Sequence, residues 1–182
     1  MKLGVHAYAW YSQWSQNALQ VIDHVKDMGL DFVEIPLMSL DSLDARAIRN
    51  RLLAVNLEAC TSTVLMGNTD ITSDDPGIRR NGIEYLKKCV VAASEMGARF
   101  VSGVVYAQHV KPATKPPTQR EWQYAAEALR EEARLASDHG VEIGLEPVNR
   151  YESYLVNTCE QALRLRELIG EPNVKIHLDT YH

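Results

Sequence analysis

The sequence contains no C-x-x-C pair and only three cysteines, Cys60, Cys89 and Cys159, an odd number at wide spacing. This excludes a disulfide framework and a thiolate zinc site, and reduced thiols are expected. No apolar run approaches the roughly 18 residues that a membrane helix requires. Met1 to Val5 leads straight into a strand without a signal-peptide core, so a cytoplasmic location away from membranes is expected. Basic residues are not clustered: 19 Lys and Arg are dispersed among 24 Asp and Glu, for a formal charge of -5. Binding to nucleic acid needs basic groups gathered on one face, so that class of partner is excluded. No G-x-G-x-x-G follows the first strand, which removes the main signature of a dinucleotide-binding sheet.

What is present is a serial β-α pattern. Leu3 to Ala7 reads as a strand, and Asn17 to Met28 as an amphipathic helix with Leu19, Ile22, Val25 and Met28 on one face. Phe32 to Ile35 is a strand stopped by Pro36, Ala45 to Val55 a helix, and Leu57 to Thr61 the third strand. A polar loop, Ser62 to Asp75, precedes Pro76 at the favoured first position of a helix running to Met96. Phe100 to Val105 is strand four, followed by a proline-rich loop, Tyr106 to Pro117. Thr118 with Glu121, and Thr158 with Gln161, are capping-box signatures for helices ending near Asp138 and Ile169. Strands five and six are Val141 to Leu145 and Val174 to Leu178.

Helix, then glycine, then a β-branched run recurs at Gly29, Gly97, Gly140 and Gly170, which implies a parallel sheet with helices outside. Six strands and five helices fit either a doubly wound open sheet or the first three-quarters of a (β/α)8 TIM barrel, which takes about 250 residues. The missing dinucleotide motif and a chain that stops at the tip of strand six favour the barrel. Residues 1–182 are thus expected to be one domain, the N-terminal portion of a TIM barrel whose last β/α units lie outside it.

Two strand ends carry the candidate chemistry. Glu146 ends strand five, Pro147 and Asn149 break the strand, and Glu152 follows; Asp179 ends strand six, with His182 beyond it. In parallel barrels the catalytic groups sit at such C-terminal strand ends. Period two places Glu142, Gly144 and Glu146 on the inner face with Lys175, His177 and Asp179, and likewise Gly4, His6, Tyr8 and Glu34. Glu34, Glu142 and Lys175 are expected to pair as buried ions below the mouth. Trp10 and Trp14, just after strand one, are candidates to wall a pocket, or simply core. An Asp at a strand end is also a common N-cap, and His6 can be a satisfied interior imidazole. His24, His109 and His139 fall on helices or loops and are expected at the surface.

Taken together, Gly144-Leu145-Glu146-Pro147-Val148-Asn149-Arg150-Tyr151-Glu152, the Asn157-Thr158 pair, and Val174-Lys175-Ile176-His177-Leu178-Asp179-Thr180-Tyr181-His182 resemble the paired motifs of the ketose 3-epimerases. These are the D-tagatose and D-psicose 3-epimerases of the xylose-isomerase-like superfamily, and the likeness extends over the whole chain. The resemblance implies a (β/α)8 barrel that inverts C3 of a free keto sugar with one divalent ion, manganese or cobalt ahead of magnesium or zinc. By position it makes Glu146 a metal ligand and one of two acid/base carboxylates, and Asp179 a second ligand. It assigns Glu152 and His182 to the hydroxyl and carbonyl end of the sugar, and Trp14, with His6 and Tyr8, to the pocket lining. It also implies a homodimer or homotetramer.

The family takes a histidine ligand, a second acid/base glutamate and a substrate arginine from strands seven and eight, beyond His182. The 182 residues alone are therefore expected to be inactive. His6 departs from the family's usual aromatic ring. A sugar-phosphate epimerase or an aldose-ketose isomerase uses similar chemistry; an abasic-site endonuclease of the same superfamily needs a basic mouth, which is lacking. A binding-only barrel fragment, or a half-barrel closed by a partner chain, is the reading from another class.

Overall fold

A computed structural model describes residues 1–12, 14, 18–111 and 115–182. Six strands form one parallel sheet in chain order: β1 (Gly4–His6), β2 (Phe32–Pro36), β3 (Glu58–Leu65), β4 (Phe100–Gln108), β5 (Glu142–Leu145) and β6 (Val174–Ile176). Between them run α1 (Leu19–Asp27), α2 (Ala45–Val55), α3 (Pro76–Met96), α4 (Gln119–Asp138) and α5 (Cys159–Ile169). Strand pairing in strict sequence order with helices on one side is the wall of a β/α barrel, not a doubly wound sheet, whose order reverses at a switch point. Among the described residues no helix is long and apolar enough to cross a membrane.

The helix boundaries follow their end signals. Asp75 caps α3 ahead of Pro76, both capping boxes form, and Gly29, Gly97, Gly140 and Gly170 all have positive φ where the helices end. Helix α1 differs from the sequence pattern. Val21, Ile22 and Val25 form its buried face while Met28 is exposed, and its expected start at Asn17 lies outside the described residues.

The core lies between the outer face of the sheet and the helices: Val33, Ile35, Val101, Ile143, Leu145 and Val174 pack against residues such as Ile22, Leu52, Leu86, Leu129 and Leu165. Strands β3 and β4 run three to four residues further than the pattern suggests. Polar residues disguised the first extension: Thr63 faces α3, and its hydroxyl pairs with Tyr85 Oη at 2.6 Å, so its polar group is satisfied inside. In β4 the continuation Val105-Tyr106-Ala107 is fully buried. β6 is shorter than expected, ending at Ile176 with Leu178 exposed, because it pairs on one side only.

Two features shape the mouth end of the sheet. Gly103 sits at φ 118°, and a Cβ there would come 2.2 Å from the Thr63 carbonyl oxygen, so only glycine permits the β3–β4 approach. Just beyond, the register jumps: Val64 pairs with Val104, but Leu65 pairs with Gln108. This bulge carries the end of β4 towards the loop after β5.

The inner face is polar and small, as parity requires. His6, Glu34 and Cys60 share one register level, and Ser62, Ser102, Gly144 and Lys175 another. The expected buried ion pairs are only half-buried. Lys175 Nζ lies 3.4 Å from Glu142 Oε1 and His6 Nε2 3.7 Å from Glu34 Oε1, yet Lys175 and Glu34 line an open cavity of about 830 Å³ and all four side chains keep contact with solvent.

Glu132 is the exception to outward apolarity. It is 0% exposed on α4, and neither carboxyl oxygen has a hydrogen-bond partner among the described residues. Burial pushes its pKa from 4.5 up to about 8. The unfolded chain therefore ionises first, and stability falls as pH rises from about 4.5 to about 8. We expect Glu132→Leu to stabilise the protein, with a gain about 2–4 kcal/mol larger at pH 8 than at pH 4.5 in urea unfolding; equal gains at both pH values contradict a buried acid.

Candidate active site

The site grows from the break after β5. Glu146 N–H still donates to the Gly103 carbonyl at 3.2 Å, which keeps this residue in the sheet's line, and Pro147 then turns the chain. The Tyr106 hydroxyl reaches the Glu146 carbonyl at 2.8 Å and the Val156 carbonyl at 3.0 Å, joining both ends of the loop after β5 to the buried bulge of β4. Asn157 closes the loop, donating to the Val148 and Ser153 carbonyls at 2.7 and 2.8 Å.

Asn149 is the centre of the arrangement. Its Oδ1 accepts from Tyr151 N–H at 3.0 Å, fixing a local turn. Its Nδ2 donates to Glu152 Oε1 at 2.8 Å and lies 3.0 Å from His182 Nδ1, and its backbone N–H points to the same ring nitrogen at 3.3 Å. His182 is brought back over the mouth by a second turn, in which Asp179 Oδ1 accepts from Tyr181 N–H at 2.8 Å. The His182 side chain is 10% exposed, although its backbone lies open.

This network assigns the His182 tautomer. Two N–H groups are directed at Nδ1, which makes Nδ1 the acceptor and leaves the proton on Nε2. Nε2 lies 3.5 Å from Glu146 Oε1. Glu146, Asp179 and His182 together offer one ligand atom each within 4.8 Å of one another. Two hard carboxylates in that trio suit a divalent ion that prefers oxygen, whereas the bound Nδ1 leaves His182 as a donor rather than a lone-pair ligand. Burial lifts the Cys60 and Cys89 thiols to about 12, which keeps both out of thiolate chemistry at neutral pH.

The two glutamates are tuned apart. Glu146 has a raised pKa: burial is the largest cause, Asp179 and Glu34 add to it, and the nearby His177 and His182 oppose it. Glu152 is lowered: burial alone acts upward, but hydrogen bonds from Asn149 and His109 and the nearby imidazoles outweigh it. Neighbouring carboxyl groups pushed in opposite directions are the usual division of labour in acid/base sites.

The other expected site residues lie around this cluster. His6 Nδ1 accepts from Tyr8 N–H at 3.0 Å, so its Nε2–H faces Ser62 Oγ at 3.2 Å, and the Tyr8 ring leans on it at 4.5 Å, half-exposed. Trp14 is 5% exposed and belongs to the apolar core, its carbonyl accepting from Ser42 Oγ at 3.0 Å. His24 and His139 are exposed as expected, but His109 is not a surface residue. It is half-buried, with Nε2 3.2 Å from Glu152 Oε2. Only the β4 bulge brings it there, and no spacing in the sequence signals that bulge.

Sequential parallel strands, helices outside and a polar cluster at the C-terminal strand ends define the chain as a β/α-barrel protein. Residues 22–182 match the family model of the xylose isomerase-like TIM barrel, and the chain belongs to that family. The ketose 3-epimerase of Arthrobacter globiformis is 36% identical over 100% of this chain and 63% of its own length. The L-ribulose 3-epimerase of Mesorhizobium japonicum is 31% identical over 100% of this chain and 61% of its own. The structure of a D-allulose 3-epimerase from Methylomonas sp. in complex with D-allulose superposes with a TM-score of 0.95 at 33% identity, over 100% of this chain and 63% of that one. The chain thus spans less than two-thirds of the length of these three relatives.

Tyr106→Phe removes the hydroxyl shared by the Glu146 and Val156 carbonyls; Val156 keeps the Val148 N–H at 3.3 Å, whereas the Glu146 carbonyl loses its side-chain donor. We expect a loss of about 1–3 kcal/mol in urea unfolding. An unchanged midpoint means that the Asn157 bonds and the Val148–Val156 backbone bond are enough to hold the loop after β5.

Proposed function

We propose that the protein carrying this chain is a metal-dependent ketose 3-epimerase acting on a free keto sugar of the D-tagatose, D-psicose or D-fructose type. The observation that carries this reading is the Asn149-centred cluster, in which the Glu146 carboxylate lies 3.5 Å from the His182 imidazole with a second carboxylate, Glu152, tied beside them. Glu146 takes the proton from C3 as a positioned carboxylate base. His182 Nε2–H donates to the sugar's carbonyl oxygen, where negative charge develops as the enediolate forms. Glu152 accepts hydrogen bonds from hydroxyl groups and orients that end of the sugar. His6 and Tyr8 line the mouth from β1, and Trp14 backs it from the core.

Glu146 and Asp179 would hold the ion, manganese or cobalt by the preference of oxygen-rich sites. When bound, the ion supplies Lewis-acid stabilisation of charge on the sugar oxygens. Inversion needs a second carboxylate on the opposite face of C3, and the remaining third of the relatives' length is where that group and the further ligands belong. On this reading residues 1–182 are the N-terminal part of one barrel domain, inactive alone, and the whole enzyme is a cytoplasmic homodimer or homotetramer.

The test combines the intact mass of the gene product with its manganese- or cobalt-dependent conversion of D-fructose and D-tagatose to their C3 epimers. We expect a mass well above 20.5 kDa, turnover that chelation removes, and a loss of at least about 10²–10⁴-fold in Glu146→Gln. A product of 20.5 kDa that takes up no metal and converts no ketose overturns the reading. Turnover of phosphorylated ketoses alone identifies a sugar-phosphate epimerase instead.

A further inference from the structure

Glu152 is held from two sides, and one of them belongs to a different β/α unit. Asn149 Nδ2 donates to Oε1 from within the same loop, whereas Oε2 faces His109 Nε2 at 3.2 Å across from the loop after β4. A carboxylate accepts only, so His109 is the donor. The same segment also grips the backbone, with Val110 N–H donating to the Glu152 carbonyl at 2.7 Å. To make that bond Val110 adopts φ 55°, a left-handed conformation that β-branched residues rarely occupy. Such strain persists only where the surroundings over-determine it.

The surroundings do so here. His109 N–H donates to the Leu65 carbonyl at 2.7 Å, which anchors the segment to β3. Lys111 Nζ pairs with Asp70 Oδ2 at 2.7 Å and lies 4.9 Å from the centre of the Tyr154 ring. Asp70 is 4% exposed and also accepts from Thr72 and from Gln108 N–H. The Tyr154 hydroxyl continues the chain to Thr72 Oγ1 at 2.8 Å and Glu121 Oε1 at 3.0 Å. Residues 109–111 are therefore tied to the loops after β3 and β5 and to the start of α4. The His109 N–H to Leu65 bond continues the β3–β4 ladder, and the others lie outside the sheet; together they fix the segment that carries the His109 imidazole.

We propose that His109 is a positioning residue that fixes the Glu152 carboxylate as a two-point acceptor for adjacent hydroxyl groups of the sugar, with the Asp70–Lys111 pair holding His109 in place. The inference rests on the epimerase reading and deepens it. Each carboxylate oxygen has two acceptor directions. Asn149 takes one on Oε1 and His109 one on Oε2, so one defined direction remains on each oxygen. Without His109 the carboxylate is tethered at Oε1 alone and can turn about its terminal bond, and the spacing of the two remaining acceptors no longer matches a pair of hydroxyls.

The test compares His109→Ala and His109→Gln in the full-length protein, with ketose KM and kcat, thermal midpoints, and crystal structures of both variants. The Gln side-chain amide N–H reaches the same oxygen. We expect His109→Ala to raise KM about 10-fold, more than it lowers kcat, with a thermal midpoint close to the parent's, and His109→Gln to recover most of the loss. The Glu152 carboxylate is rotated in the Ala variant and restored in the Gln variant. A parental KM in His109→Ala, or a Glu152 carboxylate unmoved in its crystal structure, overturns the proposal. If the parent epimerises no ketose, the epimerase reading fails on its own. The structures still decide the positioning role, which survives a displaced Glu152 and falls with an unmoved one.

Discussion

The mouth of this barrel depends on one amide side chain using every atom it has. Asn149 must satisfy its own loop, a carboxylate and an imidazole at once, and its position one residue after the Pro147–Val148 break makes that geometry available. An aspartate of the same shape lacks the two N–H groups, and a glutamine places them one methylene too far. Because two N–H groups crowd His182 Nδ1, the ring has a single orientation and a single tautomer, and its Nε2–H edge is turned towards Glu146. A pair of carboxyl groups with opposite pKa tendencies follows from the same wiring. Glu152 receives the donors and stays ionised, while Glu146, with nothing closer than 3.5 Å among these imidazoles, feels mainly its burial.

The sheet supplies what Asn149 cannot. Small residues on the inner face, Gly4, Ser102 and Gly144, leave room for neighbouring strands to bring larger side chains inward; a Cβ on Gly144 would stand 2.7 Å from Ser102 Cβ and 3.4 Å from His177 Cβ. Apolar residues on the other face hold the helices. The division lets polar groups gather along one face without cost to the core, and Glu132, the one orphaned carboxyl among the described residues, marks where that division is broken.

Much of this was legible in the residues themselves. Helices α3, α4 and α5 have the ends that Pro76, Thr118, Thr158 and the trailing glycines announce, since caps act through bonds within a few residues. Glu146, Glu152, Asp179 and His182 were also legible, because strand parity and the paired motifs place them without knowledge of any distant contact. The extension of β3 was hidden, for Thr63 is polar by composition but satisfied by Tyr85, more than twenty residues away. The role of His109 was hidden for a related reason. It depends on a bulge formed by three buried residues, Val105, Tyr106 and Ala107, and a bulge leaves no periodic mark. The half-exposed state of Glu34, Glu142 and Lys175 reflects how far the inner face is covered, which no local pattern encodes.

The strict order of the sheet has a consequence for synthesis. Each strand pairs only with the one made just before it and the one made just after, so a ribosome delivers docking partners roughly one 30-residue β/α unit at a time. The framework can therefore accumulate in the order in which it is translated, with little need for distant segments to find one another. The polar mouth obeys a different clock. Asn149, Glu152 and His109 are in place once the fifth unit emerges, but the imidazole that completes their circuit belongs to the sixth, so the polar cluster is finished only after the scaffold beneath it is set.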